Sequence, residues 1–133
     1  MIQTLLVDDD EAILHLFSTA LEINGFEVET AGSAAAAIAA MQTRQYEIVI
    51  TDLRMEKPTS GFEVVREASK LVPRPIIVIV TAFPVPAAEW RRSGADALYV
   101  KGLSTMALPE QLKELMKHAA QAESAPHPLR RRR

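Results

Sequence analysis

Two stretches of the chain, EIVIT (residues 47–51) and PIIVIVT (residues 75–81), are almost unbroken runs of β-branched residues. A strand of that kind buries side chains on both of its faces, as in a parallel sheet covered on two sides. The strand candidates are residues 2–7, 26–30, 48–51, 76–80 and 97–100. Helical patterns lie between them. The first carries Ile13, Leu16, Phe17, Ala20 and Leu21 on one stripe and stops at Asn24-Gly25, a usual C-terminal signal. The second, roughly 33–43, is alanine-rich, and alanine has the highest helix propensity. A third carries Val64, Val65, Ala68, Leu71 and Val72 and ends before Pro73. The last carries Leu108, Leu112, Leu115, Met116 and Ala119, with Pro109 placed for a first helical turn. All four stripes are read as core faces.

Strands and helices that alternate over the whole length imply an α/β fold with helices on both faces of a parallel sheet. Right-handed crossovers restrict the topology. The expected architecture is a flavodoxin-like, doubly wound, five-stranded parallel sheet in the order 2-1-3-4-5. The 133 residues suit one domain. Its expected extent is 1–122, followed by a disordered basic tail over 123–133, where ESAPHPLRRRR is polar, proline-containing and without periodicity.

Composition removes several function classes. There is no cysteine, hence neither a disulfide nor a thiolate metal site. His15, His118 and His127 show no ligand spacing and read as surface residues. Setting the four terminal arginines aside leaves 11 basic against 17 acidic residues, so the body is near −6, which argues against a nucleic-acid surface. The only apolar N-terminal run is interrupted by acids, so no signal peptide is expected, and nothing approaches the ~20 apolar residues of a membrane span. The expected location is cytoplasmic.

The first strand ends in an electrostatic problem. In TLLVDDDEAIL, residues 4–14, the apolar run is followed by Asp8, Asp9, Asp10 and Glu11. Like charges ~4 Å apart repel by roughly 4 kcal/mol per pair at an effective dielectric of about 20. The third strand runs into Asp52, the fourth into Thr81 and the fifth into Lys101. In an open α/β sheet ligands bind beyond the carboxyl ends of the strands, where the strand order reverses. In the 2-1-3-4-5 order that point lies between strands one and three, so Asp8, Asp9 and Asp52 share one crevice, with Thr81 and Lys101 on its far side. Gathered carboxylates need a cation, and an all-oxygen site suits Mg²⁺. With Lys101, such a site neutralises a phosphoryl group approaching a carboxylate. Alone, Asp9 would read as a helix cap, Asp52 as a turn residue, Thr81 as a strand terminator and Lys101 as a surface charge. Their joint placement carries the inference.

LLVDDDEAIL, IVITDLRM, IVIVTA and GADALYVKG, in this order and spacing, resemble the receiver domain of bacterial two-component response regulators over about residues 1–122. The resemblance implies a switch driven by phosphoryl transfer from a sensor histidine kinase or phosphotransfer protein, with a changed affinity for a downstream protein. It is a switch that catalyses only its own phosphorylation and dephosphorylation. It further implies Asp52 as phospho-acceptor and Mg²⁺ held by Asp9, Asp52 and the Arg54 backbone carbonyl. Asp8 holds a metal-bound water, Lys101 pairs with phosphoryl oxygens, and the Thr81 hydroxyl moves to hydrogen-bond them. Asp10 and Glu11 remain as acids favoured by the first helical turn.

Several positions depart from the family pattern. Lys101-Gly102 replaces Lys-Pro, and a cis bond without proline costs about 2.5–4 kcal/mol, so a trans linkage is expected. The aromatic switch position holds Leu98, with Tyr99 one place later and expected to be a partly buried strand residue. Glu56 stands where the family has proline, in a loop about one residue longer than usual. Pro84 and Pro86 shorten the fourth helix to about two turns starting near Pro86, with Trp90 packed on the sheet. The connection from Lys101 to Pro109 is long. These changes imply a remodelled face at helix four, strand five and helix five, and a monomer or weak dimer.

The leading expectation is a stand-alone receiver whose output is protein contact or onward phosphotransfer, unless the chain is a fragment of a longer regulator. Two alternatives stand beside it. One is a phosphate-independent interaction module, favoured by Leu98, Lys101-Gly102 and the altered loops. The other is a small Mg²⁺-dependent phosphatase, on the Asp8-x-Asp10 spacing.

Overall fold

A computed structural model describes residues 1–102 and 106–124. The chain alternates β1 (Ile2–Val7), α1 (Glu11–Glu22), β2 (Phe26–Ala31), α2 (Ala34–Thr43), β3 (Ile48–Thr51), α3 (Ser60–Ser69), β4 (Ile76–Thr81), α4 (Ala87–Arg92), β5 (Ala97–Val100) and α5 (Leu108–Ser124). The five strands are parallel and ordered β2-β1-β3-β4-β5, as expected. β2 and β4 each run one residue beyond the expected bound, to Ala31 and Thr81.

The period-two alternation of the strands divides the core between two faces. Leu5, Val7, Val49, Ile77 and Ile79 meet Ala34, Ala37 and Met41 of α2 and Val64, Val65 and Ala68 of α3. Leu6, Ile48, Ile50, Val78 and Val80 meet Phe17 and Leu21 of α1 and Leu108 and Leu112 of α5. Neighbours such as Val49 and Ile50 therefore serve opposite layers, which is why β3 and β4 are apolar without interruption.

Local signals set the helix ends. Asp10 caps α1, its carboxylate accepting from the amides of Ala12 and Ile13 at 2.9 and 3.3 Å. The Ser33 hydroxyl caps α2 through the Ala36 amide at 3.0 Å. The short α4 begins after Pro86, and Trp90 packs against the α2–α3 side of the core.

Two expected core residues are not core. Leu16 is 48% exposed. At about 100° per residue it falls on the far flank of a stripe centred near Phe17, and Leu14 takes its place against the core. Val72 is 92% exposed. α3 stops at Ser69, and the residue before a proline is disfavoured in the helical region, so Val72 never reaches the helical stripe. Leu71 still packs on the core.

The Lys101–Gly102 peptide is trans; among the described residues the cis bond is Val72–Pro73. α5 continues through Ser124, so the first two residues of the segment expected as a tail are helical. Residues 125–133 lie outside the described residues, as do 103–105 of the long connection before α5. No helix among the described residues is long and apolar enough to cross a membrane.

The packing separates two leucines on one helix. Leu21→Ala is expected to lose about 2–5 kcal/mol of unfolding free energy. Leu16→Ala should stay within about 0.5 kcal/mol of wild type, and urea denaturation of both measures the contrast.

Candidate functional site

Strand register brings the acids together. Val7 pairs with Thr51 across β1 and β3, so Asp8 and Asp52 leave the sheet side by side. The Asp52 amide donates to the Val7 carbonyl at 3.0 Å and the Asp8 amide to the Ala31 carbonyl at 3.1 Å, which extends the ladder by one residue. On the other side Thr81 pairs with Val100, and the Lys101 amide donates to the Thr81 carbonyl at 2.7 Å.

The carboxylates of Asp8, Asp9 and Asp52 each present an oxygen within 4.8 Å of the others. Lys101 Nζ bridges two of them, 2.7 Å from Asp8 Oδ2 and 3.1 Å from Asp52 Oδ2. Asp8 Oδ1 accepts from the Asp10 amide at 3.0 Å, and Asp52 Oδ1 from the Leu53 amide at 2.7 Å. Asp8 is thus buried with both oxygens bonded, whereas Asp9 is exposed. Loss of solvent and the adjacent Asp8 charge, with Asp52 contributing less, push the Asp9 carboxyl above its ordinary value; a backbone hydrogen bond opposes this. Burial alone would depress the Lys101 ammonium, but the Asp8 hydrogen bond and the charges of Asp52 and Asp8 outweigh it and hold it above the usual lysine value.

The run of four acids therefore divides into separate jobs. Asp8 is paired in the interior, Asp9 faces the cluster from solvent, Asp10 caps α1, and Glu11 lies in the first helical turn. A site of carboxylate oxygens with spare negative charge fits a hard divalent cation.

The other expected residues stand around this group. Thr81 is buried at the end of β4, and its hydroxyl accepts a long 3.4 Å contact from the Phe83 amide rather than reaching the carboxylates. The Arg54 guanidinium lies over the Phe83 ring, 5.4 Å from its centroid, joining the loops that follow β3 and β4. Leu98 packs on the α2–α3 side of the sheet, whereas Tyr99 points to the α1–α5 side, where burial raises its phenol above the ordinary value.

Two residues of the site carry roles that the sequence reading did not assign. A Cβ on Gly61 would lie 2.2 Å from the Asp52 carbonyl oxygen and 2.4 Å from Leu53 Cα, so α3 can approach Asp52 this closely only with glycine there. A lone glycine opening the helical pattern GFEVV was the available signal. The Glu56 carboxylate accepts from the Ala34 amide, the first of α2, at 3.2 and 3.3 Å. The Ser60 hydroxyl, ahead of the Ala34 amide, holds this carboxyl below its usual value against a smaller opposing desolvation.

The family model of the response regulator receiver domain matches residues 4–116. This chain belongs to that family. The receiver domain is 37% identical over 111 residues to the alginate biosynthesis transcriptional regulatory protein AlgB of Pseudomonas syringae pv. tomato, covering 82% of this chain and 24% of AlgB. It thus spans about a quarter of that relative's length. Among solved structures, the CheY-like response regulator receiver domain protein of Methanospirillum hungatei JF-1 superposes with a TM-score of 0.80 at 29% identity, covering 91% of this chain and 98% of the other. The response regulator TrrA of Thermotoga maritima, solved in complex with Mg²⁺-BeF, superposes with a TM-score of 0.77 at 30% identity, over 86% and 99% of the two chains. Membership places the receiver domain in phosphorylation-dependent signalling of the two-component kind, in a family that binds Mg²⁺ at an acidic pocket.

Two outcomes test this geometry. Gly61→Ala should cost about 1–3 kcal/mol by urea denaturation, with Gly32→Ala, where a Cβ meets nothing within 4 Å, as the near-neutral control. For Asp9, a raised folded-state value means that protonation favours the fold. That stabilisation is present below the unfolded value of 3.8 and is lost as pH rises through the folded one. Asp9→Asn should therefore melt above wild type in metal-free neutral buffer, and calorimetry should show the gain vanishing below pH 3.8.

Proposed function

We propose that this receiver domain is a signalling switch that accepts a phosphoryl group on Asp52 from a sensor histidine kinase or phosphotransfer protein. The observation that carries the reading is the Lys101 ammonium held between Asp8 and Asp52, beside three converging carboxylates. In the transfer, an Asp52 carboxylate oxygen forms a bond to phosphorus as the P–N bond of a phosphohistidine breaks, and the electron pair leaves with the imidazole. Lys101 is already within reach of the oxygens that gain charge, so little reorganisation is needed. Asp9, Asp52 and the Arg54 carbonyl would hold Mg²⁺, with Asp8 holding a metal-bound water. Bound there, the ion offsets the charge of the carboxylates and of the incoming phosphoryl oxygens. The Thr81 hydroxyl, with only a long contact to give up, turns to a phosphoryl oxygen.

The output is a shift between two surface shapes and hence in affinity for a downstream protein, in the cytoplasm. Leu98 at the switch position offers neither a hydroxyl nor a ring, and Tyr99 is turned to the opposite layer. This observation supports a second reading, a receiver-like interaction module that does not use phosphate. The phosphatase reading loses its support, because Asp10 spends its carboxylate on the amides of α1.

Incubation with Mg²⁺ and acetyl phosphate, followed by intact mass, separates the readings. The switch requires one added phosphoryl group, labile to base, absent in Asp52→Asn and abolished by EDTA. An unchanged mass in wild type favours the phosphate-independent module. A gain that persists in Asp52→Asn moves the acceptor elsewhere.

A further inference from the structure

The loop between β3 and α3 carries the backbone carbonyl of Arg54; Leu53 and Met55 on either side of it pack on the core, and the Met55 amide donates to the Lys57 carbonyl at 3.3 Å. At its start the Gly61 amide donates to the Leu53 carbonyl at 2.8 Å. At its end the Lys57 amide donates to Ser60 Oγ at 3.0 Å, and the Ser60 amide to the Lys57 carbonyl at 3.2 Å. These bonds tie the loop to its own helix. The Arg54 side chain extends to the exposed Phe83 ring and does not fix its own carbonyl. Its polar attachment to a different element is Glu56, whose two carboxylate oxygens both accept from the Ala34 amide. That amide is one of the donors a helix start leaves without an intrahelical partner, and a carboxylate is favoured there by the helix dipole.

We propose that Glu56 is a positioning residue for the metal site, strapping the loop that bears the Arg54 carbonyl to the N-terminus of α2. The strap lies two residues beyond Arg54, and the Gly61–Leu53 bond lies one residue before it. Between these anchors the carbonyl has little freedom, so the ligand is presented before the cation arrives. Partners that orient metal ligands in this way commonly shift affinity by about tenfold or more when removed. The proposal rests on the Mg²⁺ reading above and adds a residue that does not touch the ion.

The test is calorimetric titration of the full chain with Mg²⁺, alongside amide exchange at Ala34 by NMR. Glu56→Ala is expected to weaken Mg²⁺ binding by about tenfold and to speed exchange at Ala34. Glu56→Gln keeps an acceptor oxygen and is expected to stay close to wild type in both. Ser33→Ala removes another N-terminal bond of the same helix without touching the loop, and should leave Mg²⁺ affinity unchanged. Wild-type affinity in Glu56→Ala, or unchanged Ala34 exchange, overturns the strap while leaving the metal site standing. Equal losses in Ser33→Ala would assign the effect to helix stability and overturn it as well. If wild type binds no Mg²⁺, the metal reading falls and takes this proposal with it.

Discussion

The ion pair between Lys101 and the two interior carboxylates is the constraint around which this end of the molecule is arranged. Asp8 and Asp52 come from neighbouring strands, and register obliges them to emerge next to each other. Two acids so placed would repel unless a cation were supplied from within the fold, and the residue following β5 supplies it. Breaking a buried pair of this kind generally costs about 3–5 kcal/mol, because a charge is left without a partner. Lys101 is therefore a structural counter-ion to both acids. Three carboxylates against one ammonium leave the cluster with surplus negative charge, and that surplus gives a divalent cation something to offset.

Most of the architecture was legible because it follows from local pattern. β-branched runs marked the strands buried on both sides, and the alternation of elements left few topologies. The clustered acids were legible for a related reason, since Asp8 and Asp52 each stand first after a strand, with Asp9 next in line. Leu16 and Val72 were misplaced where pattern reading is weakest. Leu16 lies on the flank of a stripe, where a shift of one residue turns a side chain by about 100°. Val72 lies past a helix end, where periodicity no longer says anything.

Glu56 and Gly61 show what a linear reading could not reach. Glu56 matters through an amide 22 residues earlier in the chain, and no spacing rule joins a β3–α3 loop to the start of α2. Gly61 matters through how near a backbone passes to it, a property of two segments at once. In the sequence, Glu56 stands out only as a replacement for the family's proline in a lengthened loop, which says nothing of its partner. The Leu98–Tyr99 step was visible as a departure, but which layer each side chain enters depends on the register of an edge strand.

The close approach at Gly61 also bears on how a change at Asp52 could spread. With the Asp52 carbonyl seated where a side chain would otherwise project, the first turn of α3 and Asp52 share one steric envelope. Neither can slide past the other as independent rigid bodies. A small displacement of the backbone at Asp52 would thereby be handed straight to a neighbouring helix, with no chain of intervening side chains to relay it.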